Sequence, residues 1–156
     1  MNTGISRRAV LQALAVSIVA PLSAGAQTAL PLLEVYKSPS CGCCKDWIRH
    51  LEASGFKVKV NDVEDSRTWR ARFGMPDKFG SCHTAVVGGY VVEGHVPAAE
   101  VKRLLRDKPA ALGIAVPGMP IGSPGMDGPE YKGQKDMFNV LLVAEDGTAR
   151  VWASYK

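Results

Sequence analysis

The chain has no charge block, no internal repeat and, beyond residue 27, no apolar run long enough to cross a bilayer. Its charge has little excess of either sign. Lys and Arg number 19 against 15 Asp and Glu, and without Arg7 and Arg8 the balance is 17 to 15. So even a balance gives no electrostatic footing for nucleic acid or for an anionic membrane partner. At 46% hydrophobic and 22% charged residues, the composition also excludes disorder and fibrous repeats. Cysteine and histidine are scarce, at four and three. Their placement therefore carries most of the functional information.

The N-terminus reads as a targeting segment. Arg7 and Arg8 precede an apolar run from Ala9 to Leu22, interrupted by Gln12 and Ser17, and Ala24-Gly25-Ala26 supplies a small-residue cleavage pattern. A positive start, a short apolar centre and A-x-A predict a secretory signal over residues 1–26, cleaved near Ala26. Ser6-Arg7-Arg8-Ala9-Val10-Leu11 also resembles the twin-arginine export motif, so two export routes stay open. The expected product is a single exported domain over 27–156 with no membrane span, of a size to bury one core.

Leu32 to Tyr36 is a strand candidate, ended by the turn formers Ser38-Pro39-Ser40. Cys44, Trp47, Ile48 and Leu51 then fall at helical spacing, with Gly55 as a stop. Phe56 to Val60 alternates as a strand, and a more polar helix is expected from about Asp65 to Phe73. Thr84 to Val87 and Tyr90 to Val92, joined by Gly88-Gly89, predict a hairpin, and Pro97 opens a third helix. The order β-α-β-α-β-β-α is the thioredoxin-type arrangement. Pro109 to Glu130 holds five Gly and five Pro, a density that predicts a long loop without helix or strand. Met137 to Ala144 and Thr148 to Trp152 form an expected last hairpin. The fold class is thus α/β, a thioredoxin-like domain with a C-terminal extension over 109–156.

All four cysteines lie in two clusters, Cys41-Gly42-Cys43-Cys44 and Cys82-His83. The first falls where strand one gives way to helix one. There the unpaired N–H groups and dipole of a helix start favour thiolate over thiol. Cys41 and Cys44 have the C-x-x-C spacing of a redox pair, but Cys43 is a third sulfur that such a pair does not use. In the thioredoxin arrangement the loop before strand three passes beside the C-x-x-C and normally carries a cis-proline. Here that place holds Ser81-Cys82-His83-Thr84, which brings a fourth sulfur and an imidazole toward the first three. Three chemistries are open: a soft-metal site, thiol–disulfide exchange through Cys41 and Cys44, and structural disulfides. The metal reading leads, because adjacent Cys43 and Cys44 pair poorly and a domain with a proper core has little need of bridges.

The long loop points to the metal. Met119 and Met126 sit in it, and thioether sulfur is a good Cu(I) ligand and a poor zinc ligand. His83 is a candidate ligand as the neighbour of Cys82. His95, in Glu93-Gly94-His95-Val96-Pro97, is a weaker one, and His50 reads as a surface residue of helix one. Ser38-Pro39-Ser40-Cys41-Gly42-Cys43-Cys44, Ser81-Cys82-His83-Thr84-Ala85, Gly94-His95-Val96-Pro97 and the segment Gly113 to Met126 together resemble the CopG-like family of periplasmic copper-resistance proteins. The similarity runs from about residue 32 to the C-terminus. It implies copper held in a cysteine-bridged cluster and a part in copper tolerance, by interconverting Cu(I) and Cu(II) ahead of an efflux system. A thiol–disulfide oxidoreductase and a copper metallochaperone without redox chemistry are the alternatives.

Overall fold

The computed structural model describes Met1 and residues 29–156. The expected export segment and its cleavage site lie outside the described residues. The elements are β1 (Leu33–Lys37), α1 (Gly42–Ala53), β2 (Val58–Asp62), α2 (Ser66–Arg72), β3 (His83–Val87), β4 (Tyr90–Glu93), α3 (Ala98–Asp107), β5 (Gly113–Ala115), β6 (Phe138–Val143) and β7 (Ala149–Tyr155). Single 3-10 turns occupy Asp77–Phe79 and Pro129–Tyr131. All seven strands join one sheet in the order β2-β1-β3-β4-β5-β6-β7. β1 pairs β2 in parallel and β3 antiparallel, β3 and β4 form a hairpin, and β5 runs parallel to β4.

Strand alternation divides the core between the two faces of the sheet. Val92, Ile114 and Leu142 pack with Trp47, Ile48 and Leu51 of α1 and Val101 and Leu104 of α3. Their neighbours Val91, Ala115 and Val143 face the other way, against Met75 and Phe79. The main cluster thus draws on both ends of the chain, from Leu33 to Trp152. On the second face Tyr36 stacks on Trp69 at 4.1 Å, with Phe73 beside it.

Gly88 and Gly89, with φ of 56° and 87°, make the tight hairpin turn between β3 and β4 as their sequence predicts. Helix α2 starts one residue later than expected, because Asp65 serves as its cap and accepts the Arg67 N–H at 2.9 Å. The strand expected over Phe56–Val60 is shifted to Val58–Asp62. Phe56 is drawn into the core at the end of α1, and Val60 lies 44% exposed on an edge strand.

Two expectations are overturned. The stretch from Pro109 to Glu130 is not devoid of regular structure, because β5 forms at Gly113–Ala115, ahead of its densest prolines. A Cβ at Gly113 would lie 1.8 Å from the Val91 carbonyl oxygen, so glycine is what lets β5 approach β4. His50 is not a mere surface residue either. Its Nε2 accepts the Ala98 N–H at 3.0 Å, tying α1 to the first turn of α3, where Pro97 offers no side-chain cap. Among the described residues, no helix is long and apolar enough to cross a membrane.

Candidate metal centre

Helix α1 starts on a sulfur. Cys41 is its N-cap residue, and Cys41 Sγ accepts the Cys44 N–H at 3.3 Å. This places Cys43 and Cys44 in the first helical turn, with Cys44 fully buried and Cys43 partly open. Cys82 comes from the segment entering β3. Its Sγ lies 3.4 Å from Cys44 Sγ and 3.9 Å from Cys43 Sγ, while Cys43 is 3.6 Å from Cys41. All four sulfurs are within 4.8 Å of one another. Cys41 and Cys44 are joined as a disulfide, and Cys43 and Cys82 are free thiols.

A second group shares Cys82. His83 Nδ1 lies 3.3 Å and His95 Nε2 3.1 Å from Cys82 Sγ, and the three ligand atoms are likewise within 4.8 Å of one another. The two imidazoles meet edge to face at 5.0 Å, and His83 packs on Trp47 at 4.3 Å. Both rings are fully buried. Burial holds His95 below the usual histidine range and His83 well below it, where the neighbouring His95 adds to the effect. Burial thus favours the neutral form of both rings, the form in which imidazole ligates a metal. His95 Nδ1–H donates to the Pro124 carbonyl at 2.9 Å. The lone pair of Nε2 is left facing Cys82, an orientation of the kind that outer hydrogen bonds impose on metal ligands. His83 Nε2 is buried and unpartnered. Burial, followed by the nearby Cys43 sulfur, pushes the Cys82 thiol up to about 12. A soft cation would have to displace that proton, which couples binding at Cys82 to pH.

The glycine- and proline-rich loop closes over this ground. Gly125, at φ +85°, lies so close to α1 that a Cβ would sit 2.6 Å from the Cys43 carbonyl oxygen and 2.7 Å from the Trp47 nitrogen. The loop also contributes core contacts: Ser123 and Met126 are buried. Met126 Sδ accepts from the Tyr131 hydroxyl at 3.4 Å, whereas Met119 is half exposed. Of the eight candidate ligands, six gather in one place, Cys82 with the other three cysteines and the two histidines around it. The two methionines divide between a buried and an exposed position on the loop.

Trp47, Pro124 and Tyr131 were missed by sequence reasoning. Trp47 reads from the sequence as a core residue, yet its Nε1–H donates to the Val96 carbonyl at 2.8 Å while its ring packs on His83. The glycine of Pro124-Gly125-Met126 was the available signal, since it is there that the loop backbone approaches α1 closely.

Residues 79–126 match the family described as protein of unknown function, DUF411. That window takes in Cys82, His83, His95, Met119 and Met126 but not the first cysteine cluster. Among curated proteins, none matches the chain. Two solved structures match at 45% identity: copper resistance protein CopG, form 2, with a TM-score of 0.75 over 81% of this chain and 99% of that one; and form 1, with a TM-score of 0.74 over 81% and 98%. The chain belongs to the CopG copper-resistance family. The sulfur and imidazole cluster is thus a candidate metal centre in a family whose solved structures carry copper resistance in their name.

Proposed function

We propose that this CopG-family chain is an exported copper-binding protein of the periplasm that contributes to copper tolerance. The observation that carries the reading is the meeting of four cysteine sulfurs from two distant segments within 4.8 Å, with two buried imidazoles against one of them. Thiolate sulfur selects Cu(I), zinc and iron–sulfur clusters, and the 45% identity to solved CopG structures favours copper among these. Cys41, Cys43, Cys44 and Cys82 would be the core ligands, able as thiolates to hold several Cu(I) ions between them. His83 and His95 stand at the deep edge, and Met126 and Met119 belong to the covering loop. The Cys41–Cys44 disulfide must take up two electrons before all four sulfurs serve. Export rests on the Arg7-Arg8 start, the apolar run and Ala24-Gly25-Ala26. The sheet order β2-β1-β3-β4, with α1 and α3 on one face, supports reading residues up to Asp107 as a thioredoxin-like unit. Interconversion of Cu(I) and Cu(II) ahead of an efflux system is the role this donor set suits, since thiolate and thioether favour Cu(I) and imidazole accepts both.

The test is a Cu(I) titration of the reduced protein against a chromophoric chelator, with elemental analysis of protein from copper-fed cells. Tight uptake of more than one copper per chain is expected, and failure to compete with the chelator overturns the reading. The Cys41–Cys44 disulfide favours a second reading, thiol–disulfide exchange. Catalysis of insulin reduction by the copper-free protein, retained in Cys43→Ser, would establish that alternative.

A further inference from the structure

We propose that Arg70 and Glu93 are a positioning pair for Cys82: their buried ion pair grips the backbone and side chain on either side of Cys82 and so presents its sulfur to the cysteines of α1. The proposal rests on the copper reading for what Cys82 holds. Its own geometry stands independently of that.

Glu93 closes β4 and is fully buried, and Arg70, on α2, is 5% exposed. Arg70 Nε donates to Glu93 Oε1 at 3.0 Å. Three further contacts of the pair fall on Ser81 and Thr84, the two residues that flank Cys82 and His83. The Ser81 N–H donates to Glu93 Oε1 at 2.7 Å, Arg70 Nη2 donates to the Ser81 carbonyl at 3.0 Å, and the Thr84 hydroxyl donates to Glu93 Oε2 at 2.6 Å. Ser81 is therefore held at both ends of its backbone, and Thr84 is held opposite its register partner. Cys82 and His83 are the two residues between these anchors.

The surroundings are shaped to admit the pair. A Cβ at Gly80 would lie 2.5 Å from Arg70 Nη1, so the guanidinium fills the place of a side chain there. A Cβ at Gly94 would sit 2.6 Å from Ser81 Cβ and 2.5 Å from the Val116 carbonyl oxygen. Asp77 accepts from Arg70 Nη1 at 2.9 Å on the solvent side. The lack of proline at position 81 also follows, because a proline has no N–H to give Glu93. For stability alone, apolar residues of equal volume serve as well as a buried ion pair, and the best-attested use of such pairs is to specify one arrangement. Here the arrangement specified is that of a single sulfur-bearing segment.

The experiment compares the full chain with Glu93→Gln, Thr84→Val and Leu104→Ala. Glu93→Gln keeps the shape but not the charge. Thr84→Val removes one tether and leaves the ion pair in place, and so serves if Glu93→Gln fails to fold. Leu104→Ala weakens the core from α3, away from the segment. Per-cysteine alkylation rates are read by mass spectrometry, each protein held equally far below its melting midpoint. Cys82 should react several-fold faster in Glu93→Gln and detectably faster in Thr84→Val, with Cys43 little changed and Leu104→Ala like the wild type. Cu(I) affinity of Glu93→Gln should fall about tenfold, the usual cost of losing a group that orients a ligand. An unchanged Cys82 rate in both segment variants, or an equal rise in Leu104→Ala, overturns the proposal. Absence of Cu(I) binding by the wild type would overturn the copper reading alone, since the alkylation rates still decide what the pair does.

Discussion

The two segments that bring sulfur to the cluster are held by different physics. Cys41, Cys43 and Cys44 are set by the start of α1, a local device that needs only a turn, a capping atom and an amphipathic run. Cys82 sits at the bend that leads into β3, and its place depends on Arg70, Glu93 and Thr84, drawn from three elements. One half of the site would be recognisable in a short peptide. The other exists only once the sheet has formed.

The sharpest challenge to that contrast is to remove one sulfur from each side. Cys82→Ser is expected to lose most of the bound copper, nearly as severely as Cys43→Ser, because Cys82 touches both Cys43 and Cys44 and both imidazoles. Copper stoichiometry by elemental analysis, read beside the thiolate absorption band, decides it. A Cys82→Ser protein with unchanged stoichiometry would leave the helix segment as the whole site.

Next in size is Gly125→Ala. The added methyl would meet backbone atoms of Cys43 and Trp47 at a residue with φ of +85°, so the loop must lift from α1. A loss of about 1–3 kcal/mol in denaturant unfolding is expected, with faster alkylation of Cys43. The methionines separate by burial. Met126→Ala should cost about 2 kcal/mol as a buried side chain, whereas Met119→Ala, half exposed, should leave stability within error. The double variant should keep most of its copper yet oxidise faster in air, since losing a thioether weakens the preference for Cu(I). Paired copper titrations and air-oxidation time courses check this, and superimposable curves would remove both methionines from the ligand set.

The smallest effect lies far from the sulfurs and serves as a baseline. Burial, then the hydrogen bond to Glu100, raises Tyr155 to about 12, above its ordinary value near 10. The folded protein thus holds a proton that the unfolded chain releases first. This contribution is complete below pH 10 and is lost as pH rises from 10 to about 12. Tyr155→Phe should flatten that part of the stability–pH curve without altering copper uptake at neutral pH.

Local chemistry was legible and long-range chemistry was not. The Gly88-Gly89 hairpin, the apolar stripe of α1 with its Gly55 stop and the helix after Pro97 follow from neighbours in sequence, and all form where expected. The meeting of Cys82 with the first cluster also followed, but only through an assumed order of strands. His50 looked like a surface residue because its partner, the Ala98 N–H, is 48 residues away. β5 was hidden because three residues without periodicity give no strand signal, and what creates it is the bare backbone of Gly113 against Val91. Arg70 and Glu93 were invisible as a pair, since only the β4 register and the docking of α2 bring them together.

The position of β5 bears on how the chain tolerates being cut. It accepts the outer edge of β4, where the Val91 N–H reaches the Leu112 carbonyl and the Val116 N–H reaches that of Glu93, both at 3.0 Å. A protein truncated after Asp107 would retain every cysteine and histidine and lose that partner. Its β4 would then present unpaired donors and acceptors beside the newly bared Val91 and Val92, a surface that other copies of the chain can extend strand by strand. Aggregation, rather than a smaller working protein, is the expected fate of such a fragment.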